Sequence, residues 1–339
     1  FSPTPGRLAF KQYAGYLFWP SLYETYVVIT VFPLYFKSEP QLPKFSKFAL
    51  VPSSAAYTLF AKLSVFNIKI ITIVSYKGGT GKTTTAKNMA TILAQKYDAK
   101  VLCIDLDASG NLSSYFGCKK EDNQPCGLYR LLAEESTNAS DVIVHTNYEN
   151  IDLIDSNDMI SKADMAMKLD FVSQQQFHLR DKLQSIQDQY DYVIMDSPPT
   201  ENLVVINAMA ASRELIIPCN VEQDSYDGVF RVTRALSLVR QYNPALTIRG
   251  VLLTQIQRNG TDKQAIEMGV ANLPKFNTYI RHSVQVKNSN FNRVALAVQD
   301  KNCKPAKDYD NFVAEYLGLP AVHPEAPYVK KKMFNLGIH

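Results

Sequence analysis

From residue 68 onward, apolar residues fall into short runs separated by stretches of helical period. Ile68–Tyr76 is a β-branched run ending in a glycine turn, and Thr83–Tyr97 continues it as a helix. Val101–Leu106 is a second run that closes on acids, and Ile151–Ile154 is a short one. Tyr192–Met195, Leu215–Pro218 and Ile248–Thr254 read as further core strands. Helices are expected at Phe177–Tyr190, Glu201–Ala211, Tyr226–Tyr242, Lys263–Ala271 and Ala306–Leu317. Short apolar strands alternating with helices predict an α/β fold: a mostly parallel twisted sheet with helices on both faces, a three-layer sandwich. Right-handed crossovers then gather the loops leaving the strands along one edge of that sheet. We read one domain over 68–320 and a tail over 321–339.

Residues 1–67 differ. They are rich in aromatics and prolines and carry no sustained helical period. Tyr16–Phe36 is apolar, but Pro20, Glu24 and Pro33 interrupt it, and Thr25–Phe32 is far shorter than the roughly 20 residues of a membrane span. The basic start and small-residue cleavage site of a secretory signal are missing. Starting at Phe1, the chain reads as a fragment or a processed product. This segment is taken as an extension of unknown structure, ahead of a small extra module or a membrane anchor.

Composition changes the picture only when charge is mapped. The 339 residues are 46% apolar and 20% charged, ordinary globular material with a formal charge of +4. Residues 98–227 hold nine basic and twenty-three acidic side chains, a net of −14; residues 228–304 hold twelve and three, a net of +9. A local excess of that size attracts a polyanion, although a solvated basic surface is the plainer reading. The five cysteines form no C-x-x-C pair. Cys103 and Cys219 fall inside strand runs as buried thiols, which fits a reduced, cytosolic compartment. His145, His178, His282, His323 and His339 show no metal-ligand spacing.

The chemistry concentrates after the first strand. In Lys77-Gly78-Gly79-Thr80-Gly81-Lys82-Thr83-Thr84 the glycines let the backbone curl so that several N–H groups converge on one anion. The helix beginning near Lys82 adds its positive dipole end. Lys82 then neutralises the β- and γ-phosphates and the Thr83 hydroxyl binds Mg²⁺. The general P-loop pattern wants glycine where Tyr76 stands, and an extra lysine, Lys77, opens the loop instead.

That loop resembles the deviant Walker A loop of the ParA/MinD ATPases, within the P-loop NTPase fold. The resemblance extends over about 250 residues. Asp105-Leu106-Asp107-Ala108-Ser109-Gly110-Asn111 is similar to the family's second acidic loop, with Ala108 and Ser109 in place of Pro and Gln. Tyr192–Pro199 looks like the Walker B strand and its turn, Asn207–Ala211 and Ile217-Pro218 like the helix and strand after it, and Ile280–Val284 like the late loop.

The resemblance implies ATP and Mg²⁺ as ligands. Gly78, Gly79, Thr80, Gly81, Lys82, Thr83 and Thr84 hold the phosphates; Thr83, Asp105 and Asp196 hold the metal, Asp105 from its outer shell. Asp107 positions the attacking water. Lys77 reaches across a face-to-face homodimer to the partner's nucleotide. Thr254, Gln255 and Arg281 lie at the base. Each acid has a plainer reading as a helix cap, and Lys77 as a solvated loop lysine.

The ParA branch implies a weak, partner-stimulated ATPase whose ATP dimer binds DNA non-specifically to partition plasmids or chromosomes. Its expected partners are a second copy, DNA and a ParB-like activator, in a cytoplasmic, nucleoid-associated setting. Arg231, Arg234, Arg249, Arg258, Arg281, Lys287 and Arg293 are the DNA-binding candidates. A MinD-like membrane role is disfavoured because Pro324 and Pro327 precede Lys330–Phe334 and few apolar residues follow. Iron–sulfur reductase chemistry lacks a cysteine in Asp196–Val204, and a tyrosine-kinase tail lacks all but Tyr328. No operator-binding helix-turn-helix is recognisable in 1–67. A scaffold that binds nucleotide without hydrolysis is the non-enzyme alternative.

Overall fold

The computed structural model describes residues 68–170, 173–220, 222–257 and 272–324, together with four short strands before residue 68. The chain divides into two compact units, Phe1–Asn67 and Ile68–His339. In the first, Gln12–Tyr13 (β1), Tyr16–Trp19 (β2), Tyr26–Thr30 (β3) and Phe48–Pro52 (β4) pair antiparallel in that order. Tyr26–Thr30 is aromatic and β-branched, the composition that suits an inner strand.

The second unit is built on seven strands: Lys69–Ile73 (β5), Val101–Asp105 (β6), Val144–His145 (β7), Ile151–Ile154 (β8), Tyr192–Asp196 (β9), Glu214–Cys219 (β10) and Thr247–Leu253 (β11). They lie in the order β11-β10-β5-β9-β6-β8-β7, parallel throughout except β7, which runs antiparallel to β8. Side-chain alternation explains why the inner strands read as unbroken apolar runs. Val101 and Cys103 of β6 enter one core while Leu102 and Ile104 enter the core on the opposite face, so both faces must be apolar.

The helices are Lys82–Tyr97 (α1), Asn111–Tyr115 (α2), Gly127–Ala133 (α3), Ile160–Leu169 (α4), His178–Leu183 (α5), Leu203–Ala211 (α6), Gln223–Val239 (α7), Val284–Asn292 (α8), Leu296–Gln299 (α9) and Lys304–Leu317 (α10). Helix α1 is buried from Thr84 through Ala94, flanked by α10, where the Thr85 and Tyr309 hydroxyls lie 3.3 Å apart. The helix expected over Phe177–Tyr190 is shorter than the periodicity suggested. It stops at Leu183 and tightens into a 3₁₀ turn over Gln184–Ile186, where Ser185 Oγ donates to the Lys182 carbonyl at 2.9 Å and competes with the helical bonds. The expected helix Lys263–Ala271, Arg258, and the tail with Pro327, Tyr328, Lys330–Phe334 and His339 lie outside the described residues. Among the described residues no helix is long and apolar enough to cross a membrane.

Register places the chemistry. Ile73 of β5 and Asp105 of β6 both pair with Asp196 of β9, so three neighbouring strands end level at the carboxyl edge of the sheet. The glycine turn leaves β5 at that edge.

Candidate nucleotide site

Strand β5 hands over to α1 through a turn that closes on Gly81, whose φ of +90° is open to glycine but strained for other residues. No side chain caps α1, and its first internal bond runs from Thr85 N–H to the Gly81 carbonyl at 2.8 Å. The amides of the first helical turn therefore face outward with the positive dipole end, an arrangement that suits an anion. Lys82 bends back over the turn to donate to the Lys77 carbonyl at 3.0 Å and is only 7% exposed. Burial pulls its amine below the usual lysine range, while Asp196 and Asp107 push it back up.

Asp196 is fully buried, and neither of its carboxylate oxygens meets a hydrogen-bond partner. Burial first, and the neighbouring Asp105 second, push its carboxyl well above the carboxylate range, against opposing pulls from the Thr83 hydroxyl and Lys82. The hydroxyls of Ser75 after β5, Thr80 of the glycine turn and Ser197 after β9 are buried and unpartnered too. Orphaned buried polar atoms carry a cost, and at Asp196 a bound ion would remove it. The donor set, one carboxylate beside a threonine hydroxyl at a helix N-terminus, fits Mg²⁺ on a nucleotide.

Asp105, also buried, is spoken for. It accepts from Ser113 N–H at 2.8 Å, Ser113 Oγ at 2.7 Å and Asp107 N–H at 3.1 Å. Burial lifts its carboxyl to about 6 despite those bonds. It fixes the loop that carries Asp107, which is half-buried and accepts from Ser109 N–H at 2.9 Å. Gly110 ends that loop at φ +61°; a Cβ there would lie 2.6 Å from the Ser156 carbonyl, so the close approach requires glycine.

The remaining expected residues are placed differently from the sequence reading. Lys77 is ion-paired to Glu222 of its own chain, at the start of α7. Glu222 is 66% exposed, so the pair sits in high dielectric and is cheap to exchange. Thr254 donates to the Thr80 carbonyl at 2.8 Å, and Gln255 to the Gly79 carbonyl, so both brace the phosphate turn from beneath. Arg281 holds the fully buried Asp308 through Nε at 2.9 Å and Nη2 at 2.6 Å, which leaves its guanidinium tied to α10. Thr254, Gln255 and Arg281 nonetheless line one cavity of about 760 Å³ together with Gly78, Lys82, Asp107 and Asn290 of α8, whereas Lys77 is not part of its lining.

A family model described as an AAA domain matches residues 68–248. The sporulation initiation inhibitor protein Soj of Bacillus subtilis is 35% identical over 201 residues, which span 59% of this chain and 78% of Soj. The chain belongs to the ParA/MinD family. Solved structures agree with that placement. A Cyanothece McdA variant complexed with ATP is 25% identical with a TM-score of 0.66, covering 75% of this chain and 98% of that one. The septum site-determining protein MinD of Pyrococcus horikoshii, complexed with Mg-ADP, is 25% identical with a TM-score of 0.60, covering 73% and 95%. The family is one of P-loop ATPases, and its nucleotide- and magnesium-bound members accord with the ligand set read from the loop.

Within this ParA/MinD-family fold the basic segment does not act as one group. Arg231 pairs with Glu201 and lies over the Tyr76 ring. Arg249 donates to the Tyr316 carbonyl at 2.8 Å and packs on the Tyr316 and Phe276 rings, near the start of β11 and away from the cradle. With Arg281 engaged, Arg234, Lys287 and Arg293 remain exposed without an ion pair among the described residues. Sequence reasoning passed over Ser113, Glu222, Asp308 and Lys87. Glu222 and Asp308 are partners distant in the chain, and Ser113 lies eight residues beyond the Asp105 it serves. Lys87 had a local signal, a lone lysine in a helix stretch otherwise destined for the core.

Proposed function

We propose that this chain is an ATP-dependent dimerising switch that binds DNA non-specifically and hydrolyses ATP to drive plasmid or chromosome partitioning. The bare, buried Asp196 carboxylate beside Lys82 and Thr83 carries the nucleotide part of this reading. Nothing in the single chain compensates it fully, so a metal–phosphate ligand has a defined place to act. Lys82 and the amides of the α1 N-terminus hold the phosphates, and Thr83 and Asp196 hold Mg²⁺, which offsets phosphate charge when bound. Asp107 orients a water molecule against the phosphate end, and Asp105 keeps the Asp107 loop in register. In the dimer Lys77 leaves Glu222 for the partner's nucleotide, so the full positive clamp assembles only when two loaded chains meet. The exposed cations Arg234, Lys287 and Arg293, without an ion pair among the described residues, supply the DNA contact, and a ParB-like partner stimulates turnover.

The test is DNA binding by the full chain with MgATP, with ADP and without nucleotide. Duplex of arbitrary sequence should be retained only with MgATP and released in roughly 0.5 M salt, as phosphate contacts require. Retention independent of nucleotide, or none at all, would remove the DNA role. Asp107→Ala should keep ATP and lose turnover. Unchanged turnover would favour a scaffold that binds nucleotide without cleaving it.

A further inference from the structure

Lys87 lies on α1, five residues beyond Lys82, and is 1% exposed. Its amine donates to Asn290 Oδ1 at 2.6 Å and to Ser289 Oγ at 3.2 Å on α8, and sits 4.4 Å from the centre of the Tyr115 ring. All three partners are neutral. Burial alone pulls the amine down to about 7, with no carboxylate to restore it. A methionine would fill the same space between α1, α2 and α8 without that cost. A buried cation with only neutral partners is expensive, and such groups gather where a ligand repays them.

Geometry says which ligand. Thr84 and Thr83 lie three and four residues before Lys87, so each neighbours it on the surface of α1, and all three line the cavity described above. Five residues of helix put Lys87 about 7.5 Å further along the axis than Lys82, roughly the reach of a phosphate chain. The cavity wall is of more than one kind: besides the turn at Gly78, Gly79 and Gly81 and the Asp107 carboxylate it carries Ile280, Val286, Tyr309 and the Asn290 amide that Lys87 bonds, with Arg281, Lys287 and Arg293 also lining it. Apolar and amide groups suit a sugar and base rather than another phosphate.

On the reading of this cavity as an ATP site, we propose that Lys87 is a specificity-determining residue of that site, donating its remaining hydrogen to an acceptor on the nucleoside half of the bound nucleotide. The two bonds to α8 aim the ammonium, and the third hydrogen, which meets only the Tyr115 ring among the contacts above, is the one offered to the ligand. Lys82 grips the phosphates and Lys87 reads what is attached to them.

The test compares MgATP with magnesium tripolyphosphate, which lacks the nucleoside, by calorimetric titration of wild type, Lys87→Met, Asn290→Ala and Lys82→Ala. Lys87→Met should weaken ATP about tenfold and leave tripolyphosphate unchanged, as expected for one lost charge-assisted bond. Asn290→Ala, which frees the lysine without touching α1, should weaken ATP by a smaller factor in the same selective way. Lys82→Ala should weaken both ligands. Equal losses of ATP and tripolyphosphate in Lys87→Met, or no loss of either, overturn the proposal while leaving the nucleotide site standing. Wild type that binds neither ligand better than Lys82→Ala overturns the nucleotide reading itself.

Discussion

Lys82 and Lys87 occupy the same helix and line the same cavity, yet the fold treats their charges in opposite ways. At the helix N-terminus, Asp196 and Asp107 support the Lys82 ammonium against burial. Seven or eight ångströms on, by the rise of about 1.5 Å per residue, Lys87 has only hydroxyl, amide and ring neighbours. One charge is compensated by the protein and the other waits on something the protein does not contain. Buried cations in one cavity therefore need not share one purpose. Where acids accompany the lysine the site is built for a metal and its anion, and where they are absent it is built for a donor that discriminates.

The largest effect should come from removing the compensated member. Lys82→Ala takes away the cation that bends back over the phosphate turn, and ATP affinity should fall by roughly 100-fold or more, about 2.7 kcal/mol. Folding should not suffer, because the variant also sheds a buried charge. Calorimetric titration with MgATP and a thermal melt measure both. Affinity within fivefold of wild type would mean the phosphates lie elsewhere and the contrast between the lysines is false.

Lys87→Met should act on the fold itself, by about 1–3 kcal/mol in the stabilising direction at neutral pH, since it replaces an uncompensated buried cation with an apolar chain of similar length. The pH dependence follows from linkage. Folded, Lys87 releases its proton near 7; unfolded, it keeps it to about the ordinary lysine value of 10.5. Between those values the unfolded chain holds more protons, so wild-type stability gains with rising pH relative to the variant. Urea denaturation at pH 6.5 and pH 9 should show the variant's advantage shrinking. An advantage that is constant across that range would mean the amine is not desolvated as placed.

Much of this was legible along the chain because it is local. The phosphate turn is eight consecutive residues whose glycines and lysine act through backbone geometry, and Asp105 and Asp196 each end an apolar strand. Six of the sheet's seven strands and its mostly parallel character follow from the same runs, whereas β7, two residues long and antiparallel, left no run to read. What was hidden depends on contacts between distant segments. Arg281 and Asp308 are 27 residues apart and Lys87 and Asn290 are 203 apart. Counting basic residues over 228–304 measured charge without revealing that Arg249 is spent on Tyr316 or Arg231 on Glu201. Helices α2, α3 and α9 are seven residues or shorter, too brief to establish a 3.6-residue period.

The smallest effect is also the one that bears most directly on where the phosphate half ends. Thr254 was expected at the base, but its hydroxyl donates to the Thr80 carbonyl at 2.8 Å and its methyl group is ordinary van der Waals distance from where a Gly81 side chain would begin. Thr254→Val keeps the shape and removes the bond. One net hydrogen bond is worth about 1 kcal/mol, so nucleotide affinity should drop about fivefold as the turn loses a brace. Because the brace serves the turn, ATP and tripolyphosphate should weaken by the same factor, unlike the selective loss expected for Lys87→Met. A loss confined to ATP would return Thr254 to the nucleoside, extend that half of the cavity back toward Gly81, and leave the axial distance between the two lysines a poor guide to the division of labour between them.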